Sequence, residues 1–159
     1  MRMLADAGAV FLGQGVAADG VATFADFGRI DPSRLVEFPV AEELNVGAAI
    51  GLSLTGTLAV VSLPRFDFLL RAADQLVNHL DKLEEMSCGQ WVPKVIIRTR
   101  VGSRTPLDAG PQHTGDYSEA FRLMLRTVAV RRITEPAQIL PTYQAALDSP
   151  RSSLVVEAL

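Results

Sequence analysis

The sequence predicts an α/β domain built on a mainly parallel sheet. Short apolar runs of strand length alternate with segments whose apolar residues recur at helical spacing. Such alternation is typical of crossover units, in which successive strands run parallel. Hydrophobic residues make up 48% and charged residues 21% of the 159 residues. That composition suits one folded domain with a sizeable core.

Six strands are predicted from runs of apolar and β-branched residues that end at glycine, proline or polar residues. The first, residues 9–13, ends in glycine, and the second, residues 35–38, is stopped by Pro39. The other predicted strands are residues 58–62, 94–98, 128–130 and 154–157.

Helical patterns fill the segments between these strands. Residues 42–54 begin with two acids after a proline, which favours a helix start. Residues 66–86 carry apolar side chains at helical spacing with charges between them, which predicts one long amphipathic helix. The remaining helical segments are residues 119–126, 136–147 and, weakly, 21–27.

Three segments that could carry chemistry each follow a predicted strand. Glu42 follows the second strand, residues 64–68 follow the third, and the loop of residues 99–115, with His113, follows the fourth. Ligands of parallel sheets bind outside the carboxyl ends of the strands. We therefore expect one site at this edge, with the long loop as a functional part of it.

Composition and patterning argue against several partner classes. The net charge is −3 and no basic arm is present, which disfavours nucleic acid. Residues 44–64 carry no charge, but Thr55-Gly56-Thr57 interrupts them, so a helix, a turn and a strand are predicted rather than a membrane span. With Cys88 as the only cysteine and no signal-peptide pattern, the expected location is the cytoplasm.

Common catalytic and nucleotide-binding motifs are absent from the sequence. It contains no Gly-x-Gly-x-x-Gly fingerprint, no Gly-Lys-Ser/Thr phosphate loop, no Gly-x-Ser-x-Gly elbow and no Cys/His spacing suited to zinc. These absences disfavour an unrelated α/β nucleotide-binding protein.

Spacing alone leaves two roles open for each candidate residue. Glu42 can simply stabilise its helix through the macrodipole, by about 0.3–1 kcal/mol, and His113 can be an ordinary loop histidine.

Seven short motifs occur in one order along nearly the whole chain. They are Phe38–Glu42, Gly47–Gly51, Phe66–Phe68, Asp74–Asn78, Met86–Gln90, Val95–Thr99 and Gln112–His113. Together they resemble the pyrimidine-binding domain of transketolase-like thiamine diphosphate enzymes. They are most similar to the beta chain of 2-oxo-acid dehydrogenases of the pyruvate and branched-chain types. The resemblance implies a three-layer α/β/α fold and one such domain over residues 1–159.

The resemblance also implies roles for individual residues. Glu42 matches the catalytic glutamate that hydrogen-bonds a ring nitrogen of the cofactor's aminopyrimidine and favours its reactive tautomer. Phe68 matches the aromatic residue that packs against this ring, and Val40 matches an apolar position beside it. His113 matches an active-site histidine that handles protons and assists transfer to a lipoyl group. Positioned proton transfer of this kind contributes roughly 10²–10⁴-fold to a rate.

A second chain is implied by what the sequence lacks. The family binds the diphosphate and Mg²⁺ with a Gly-Asp-Gly segment and a later asparagine, and neither is present, nor is the C-terminal domain of full-length beta chains. We therefore expect an alpha-type partner to hold the diphosphate and Mg²⁺, in a heterotetramer with the active site at the interface. The small residues Gly47, Ala48 and Gly51 would allow close helix approach, either there or within this subunit.

The expected reaction is cleavage of a carbon–carbon bond next to a ketone. One form is 2-oxo-acid decarboxylation with acyl transfer to a lipoyl or acyl carrier domain. The alternatives are transketolase-like transfer of a two-carbon ketol unit and a non-catalytic assembly subunit, the latter favoured by Pro64, where the family usually has glutamine. The cations Arg98, Arg100 and Arg104 could bind a substrate carboxylate or phosphate, or serve only solubility.

Overall fold

The computed structural model describes residues 1–18 and 26–159, and these residues form one sheet of six strands. The spatial order is β2-β1-β3-β4-β6-β5, and every neighbouring pair is parallel. The predicted parallel sheet is therefore confirmed. The strands are β1 Val10–Gly13, β2 Leu35–Glu37, β3 Ala59–Ser62, β4 Val95–Arg100, β5 Ala129–Ile133 and β6 Ser153–Glu157.

Helices cover both faces of the sheet. They are α1 Arg2–Asp6, α2 Glu42–Leu54, α3 Phe66–Leu69, α4 Leu83–Met86, α5 Ser118–Met124 and α6 Ile139–Asp148, with 3₁₀ turns at Pro32–Arg34, Leu70–Ala72 and Pro136–Gln138. One core cluster joins Val46, Phe66 and Phe121 of α2, α3 and α5, and the other joins Leu4 of α1 to Tyr143 of α6. The three-layer α/β/α architecture is confirmed.

Burial explains the composition of the central strands. All of β3, and β6 from end to end, are buried because helices lie on both faces. The charge-free stretch 44–64 forms most of α2, a turn and β3, as predicted. None of the helices among the described residues has the length and apolarity needed to cross a membrane. A weak helix was also predicted over residues 21–27. Residues 21–25 of this segment lie outside the described part of the chain.

The prediction of one long regular helix over 66–86 is wrong. The segment instead changes pitch, from α3 through the Leu70–Ala72 turn to a π-helix at Gln75–Leu80 and then α4. The Asp81 amide donates to the carbonyl of Leu76, five residues back, at 3.0 Å. In this arrangement Leu76, Leu80 and Asp81 are all buried. Asp81, which directly follows the π-helix, is bound by residues of a distant connection.

Asp81 stabilises the entry to β5. Its carboxylate accepts hydrogen bonds from the backbone amides of Arg126, Thr127 and Val128 and from the Thr127 hydroxyl. Burial acts to raise the pKa of Asp81, but these hydrogen bonds outweigh burial and hold the pKa below its ordinary value. The carboxylate therefore stabilises the fold at pH values above its unfolded-state pKa.

We expect this contribution to disappear in acid. As the pH falls below about 4, toward the lowered folded-state pKa, the free energy of unfolding should decrease. Asp81→Asn should cost about 1–3 kcal/mol at neutral pH, because one of the two acceptor oxygens becomes an NH2 donor that faces backbone amides, and it should flatten this acid branch. Urea unfolding between pH 7 and 2 measures both effects. The exposed Asp6→Asn is the control, and an unchanged acid branch in Asp81→Asn would contradict the assignment.

Candidate functional site

The three predicted site segments leave the same edge of the sheet, because all the described strands are parallel. The start of α2 follows β2, α3 follows β3, and residues 101–117 connect β4 to α5. The segment carrying α3 and the following 3₁₀ turn packs against α2. The carboxyl edge therefore holds Glu42, Phe68 and His113, the residues predicted to contact the cofactor or act in catalysis.

Glu42 lies in the first turn of α2, half-buried at the mouth of a cavity of about 510 Å³. The cavity is lined by Val40, Ala41, Glu42, Glu43, Leu44 and Arg71. Within residues 1–18 and 26–159, the Glu42 carboxylate makes no hydrogen bond or ion pair. The site thus presents an available carboxylate acceptor beside the apolar Val40 and Leu44, with Glu43 and Arg71 also in the wall.

Phe68 and His113 lie in direct ring contact. Their ring centroids are 5.6 Å apart and the planes meet at 80°, an edge-to-face pair. Phe66 and Leu69, on either side in α3, are buried, so the half-buried Phe68 faces the loop. Edge-to-face pairs contribute about 0.5–1.5 kcal/mol beyond area burial. The contact therefore holds the His113 imidazole against the Phe68 ring.

The predicted residues thus form two groups. Glu42 and Val40 share the cavity, whereas Phe68 and His113 contact each other and are not among the residues that line it. Arg71, three positions after Phe68, lies in the cavity wall and is a residue that sequence reasoning missed. It is an exposed charged residue among the apolar positions of 66–86, and such a pattern predicts only contact with solvent. Asp67, which also was not predicted, contacts the loop after His113.

Two of the arginines considered as anion ligands have another role. Arg98 is only 3% exposed and donates to the Glu157 carboxylate, and Arg100 donates to the same carboxylate at 2.8 Å. Tyr143 of α6 also donates to Glu157, which places this cluster on the face of the sheet opposite Phe68. Arg98 is therefore neither a solubility residue nor part of the Glu42 cavity; it belongs to a buried ion-pair network.

Comparison with known proteins adds the family. The family model described as "Transketolase, pyrimidine binding domain" matches residues 2–158. Pyruvate dehydrogenase E1 component subunit beta of Rickettsia bellii (strain RML369-C) is 28% identical over 93 residues, 58% of this chain and 28% of that protein. The subunit of Chlorokybus atmophyticus is 30% identical over 135 residues, 82% of this chain and 38% of that protein. The chain thus spans under two fifths of the length of either relative.

Solved structures show the same fold. One described as "Split gene transketolase, inactive beta4 tetramer" has a TM-score of 0.73 at 18% identity, covering 98% of this chain and 46% of that chain. The transketolase from Campylobacter jejuni subsp. jejuni NCTC 11168 has a TM-score of 0.73 at 15% identity, covering 94% and 22%. The resemblance seen in the sequence is confirmed, and the match over residues 2–158 shows that this chain belongs to the transketolase pyrimidine-binding domain family.

Proposed function

We propose that this chain is the pyrimidine-binding subunit of a split thiamine diphosphate-dependent enzyme. The family depends on this cofactor, and within the described residues the Glu42 carboxylate has no protein partner although it lies at the mouth of a cavity. That available carboxylate carries the proposal, because both of its oxygens can accept hydrogen bonds from a ligand without breaking a contact within the described residues.

The cavity residues fit an aminopyrimidine. Glu42 can accept a hydrogen bond from a ring nitrogen, and Val40 and Leu44, 69% and 52% exposed, offer apolar contacts to a planar ring. We propose that Phe68 packs against the same ring when the partner chain completes the site.

Each proposed residue has a distinct task. Bound thiamine diphosphate supplies the carbon nucleophile and electron sink for carbon–carbon cleavage beside a ketone. Glu42 holds a proton between its carboxylate and the ring nitrogen. The His113 imidazole exchanges a proton with an oxygen of the substrate, in a position set by its contact with Phe68. The Phe68 ring and the His113 imidazole exclude water from that side of the site.

Relatives guide the choice of reaction and partner. Several are named pyruvate dehydrogenase E1 component subunit beta, which supports 2-oxo-acid decarboxylation with acyl transfer to a lipoyl or acyl carrier domain. The neighbour described as a split-gene transketolase supports ketol transfer as the second candidate and a division of the enzyme between two chains. We propose an alpha-type partner that holds the diphosphate and Mg²⁺ in a heterotetramer. The cytoplasmic location stays a prediction, because relatives from yeast and rice are named as mitochondrial.

Cofactor binding tests the division between chains. We expect the isolated chain to bind thiamine diphosphate with Mg²⁺ weakly in calorimetry, because it contributes only the pyrimidine half. The complex purified through a tag on this chain should bind it tightly and turn over either pyruvate or a ketose phosphate. Tight Mg²⁺-dependent binding by the isolated chain would refute the split. A complex that neither binds nor turns over would refute the catalytic assignment.

A further inference from the structure

We propose that Asp67 is the positioning residue that sets His113 against Phe68, by tying the connection of residues 101–117 to α3. The tie consists of the hydrogen bonds of Asp67 to the connection, and its existence does not depend on the proposed function. Its importance for turnover rests on that function. The connection has no helix or strand within it. Residues 103–109 are all exposed, and the described contacts of that stretch are local hydrogen bonds. Its course near His113 must therefore be set by contacts with the rest of the fold.

Gly102 makes a tertiary contact with His113 itself. Gly102 approaches the backbone of His113 so closely that a Cβ at position 102 would lie 2.0 Å from the His113 carbonyl oxygen. Only glycine permits this approach, because real Cβ atoms do not come that near to a backbone oxygen. This contact brings the two ends of the exposed stretch together beside Arg65, which directly precedes α3 and whose Nε would lie 3.4 Å from the same Cβ.

The attachment to α3 is made by the Asp67 carboxylate. Its Oδ2 accepts a hydrogen bond from the Gly115 amide at 3.3 Å, and its Oδ1 accepts one from the Tyr117 hydroxyl at 3.1 Å. The hydroxyl lies over Gly115, where a Cβ would be 2.4 Å from it. The hydrogen bond to Asp67 also raises the pKa of Tyr117. The carboxylate thus binds the chain two and four residues after His113.

Three consecutive residues of α3 therefore hold the segment that contains His113. The Phe66 ring meets the Tyr117 ring edge to face at 5.5 Å, Asp67 accepts the two hydrogen bonds, and Phe68 contacts the imidazole. No lysine or arginine forms an ion pair with Asp67 in the described part of the chain. The carboxylate is thus committed to the loop. A displacement of about 1 Å at a catalytic group can cost about 10²-fold in rate.

The tie can be measured in the 159-residue chain without cofactor. The protein has two histidines, so the imidazole C–H resonances of His113 report its contact with the Phe68 ring while those of His79 serve as an internal reference. We expect Asp67→Ala to move the His113 resonances toward random-coil positions and leave His79 unchanged. Tyr117→Phe, which keeps the ring against Phe66, should cause a smaller shift. Glu119→Ala, which removes an exposed acid paired with Arg122, should cause none.

The assembled enzyme supplies the second measurement. Asp67→Ala should lower kcat by about 10²-fold with little change in the KM for thiamine diphosphate, since His113 moves and Glu42 does not. Asp67→Asn should recover part of the activity, because its amide oxygen still accepts from Tyr117. If Asp67→Ala folds and its His113 resonances are unchanged, the proposal is overturned. If Asp67→Ala unfolds, unchanged His113 resonances in both Tyr117→Phe and Asp67→Asn overturn it instead. Shifted resonances with unchanged kcat would support the tie and instead overturn the catalytic role of His113.

Discussion

Replacing Glu42 by glutamine is expected to lower the turnover of the assembled enzyme by about 10²–10⁴-fold, the usual contribution of a positioned proton-transfer group. Glutamine has the same size and still fills the cavity mouth, but its amide cannot hold the proton that the carboxylate shares with a ring nitrogen. Because Glu42 has no protein partner among the described residues, the fold should lose at most the macrodipole contribution of about 0.3–1 kcal/mol. Steady-state kinetics and thermal unfolding of the same preparation separate the two effects.

Glu43→Gln is the matched control. Glu43 lies in the same first turn of α2 and lines the same cavity, but its side chain is exposed. Its replacement by glutamine removes the same charge as Glu42→Gln. We expect this variant to keep its turnover. Full turnover in Glu42→Gln would show that the subunit is not catalytic through this residue and would favour the assembly role. Equal losses in both variants would show that the site requires only negative charge.

Glu157→Ala is expected to destabilise the fold by about 3–5 kcal/mol, the usual cost of removing one partner of a buried ion pair. Glu157 is 8% exposed and accepts hydrogen bonds from Arg98 at 2.9 Å, from Arg100 at 2.8 Å and from Tyr143 at 2.7 Å. Without the carboxylate, the buried Arg98 guanidinium keeps its 3.2 Å ion pair with the half-exposed Asp26 and its contact with the face of the Phe27 ring. The Tyr143 hydroxyl would also lose its acceptor.

Urea unfolding at pH 7 measures this loss. Glu157→Gln should lose less than the alanine variant, since its amide oxygen still accepts from Tyr143 or Arg98 while the charge is gone. Glu85→Ala is the control, because Glu85 and its partner Arg126 are both largely exposed and such pairs contribute about 0–1 kcal/mol. A loss in Glu157→Ala no larger than in the control would mean that Arg98 is hydrated in solution.

Much of the architecture could be predicted from local pattern. The six strands and α2 lie within a few residues of their predicted bounds, because strand and helix preferences depend on neighbours close in the chain. The family motifs likewise indicated Glu42, Phe68 and His113 before any contact was known. Their proposed roles stay predictions until the variants are measured.

Long-range contacts explain what local pattern missed. Apolar spacing over 66–86 is compatible with α, 3₁₀ and π pitch, and the choice among them involves Asp81, whose hydrogen-bond donors lie at 126–128. Arg98 resembled a strand-end cation because its partner Glu157 is 59 residues away. Neither partner can be identified from residues near in sequence.

The chain's own periodicity and motifs thus established an α/β domain, the order of its elements and the residue types available at one sheet edge. Packing established that Phe68 and His113 touch, that Arg71 shares a cavity with Glu42, and that Asp67 holds the connection after His113. This difference between what the sequence pattern determined and what packing determined has a physical cause. Element formation is decided by backbone and side-chain preferences over a few residues, whereas these contacts join segments that meet only when the parallel crossovers close.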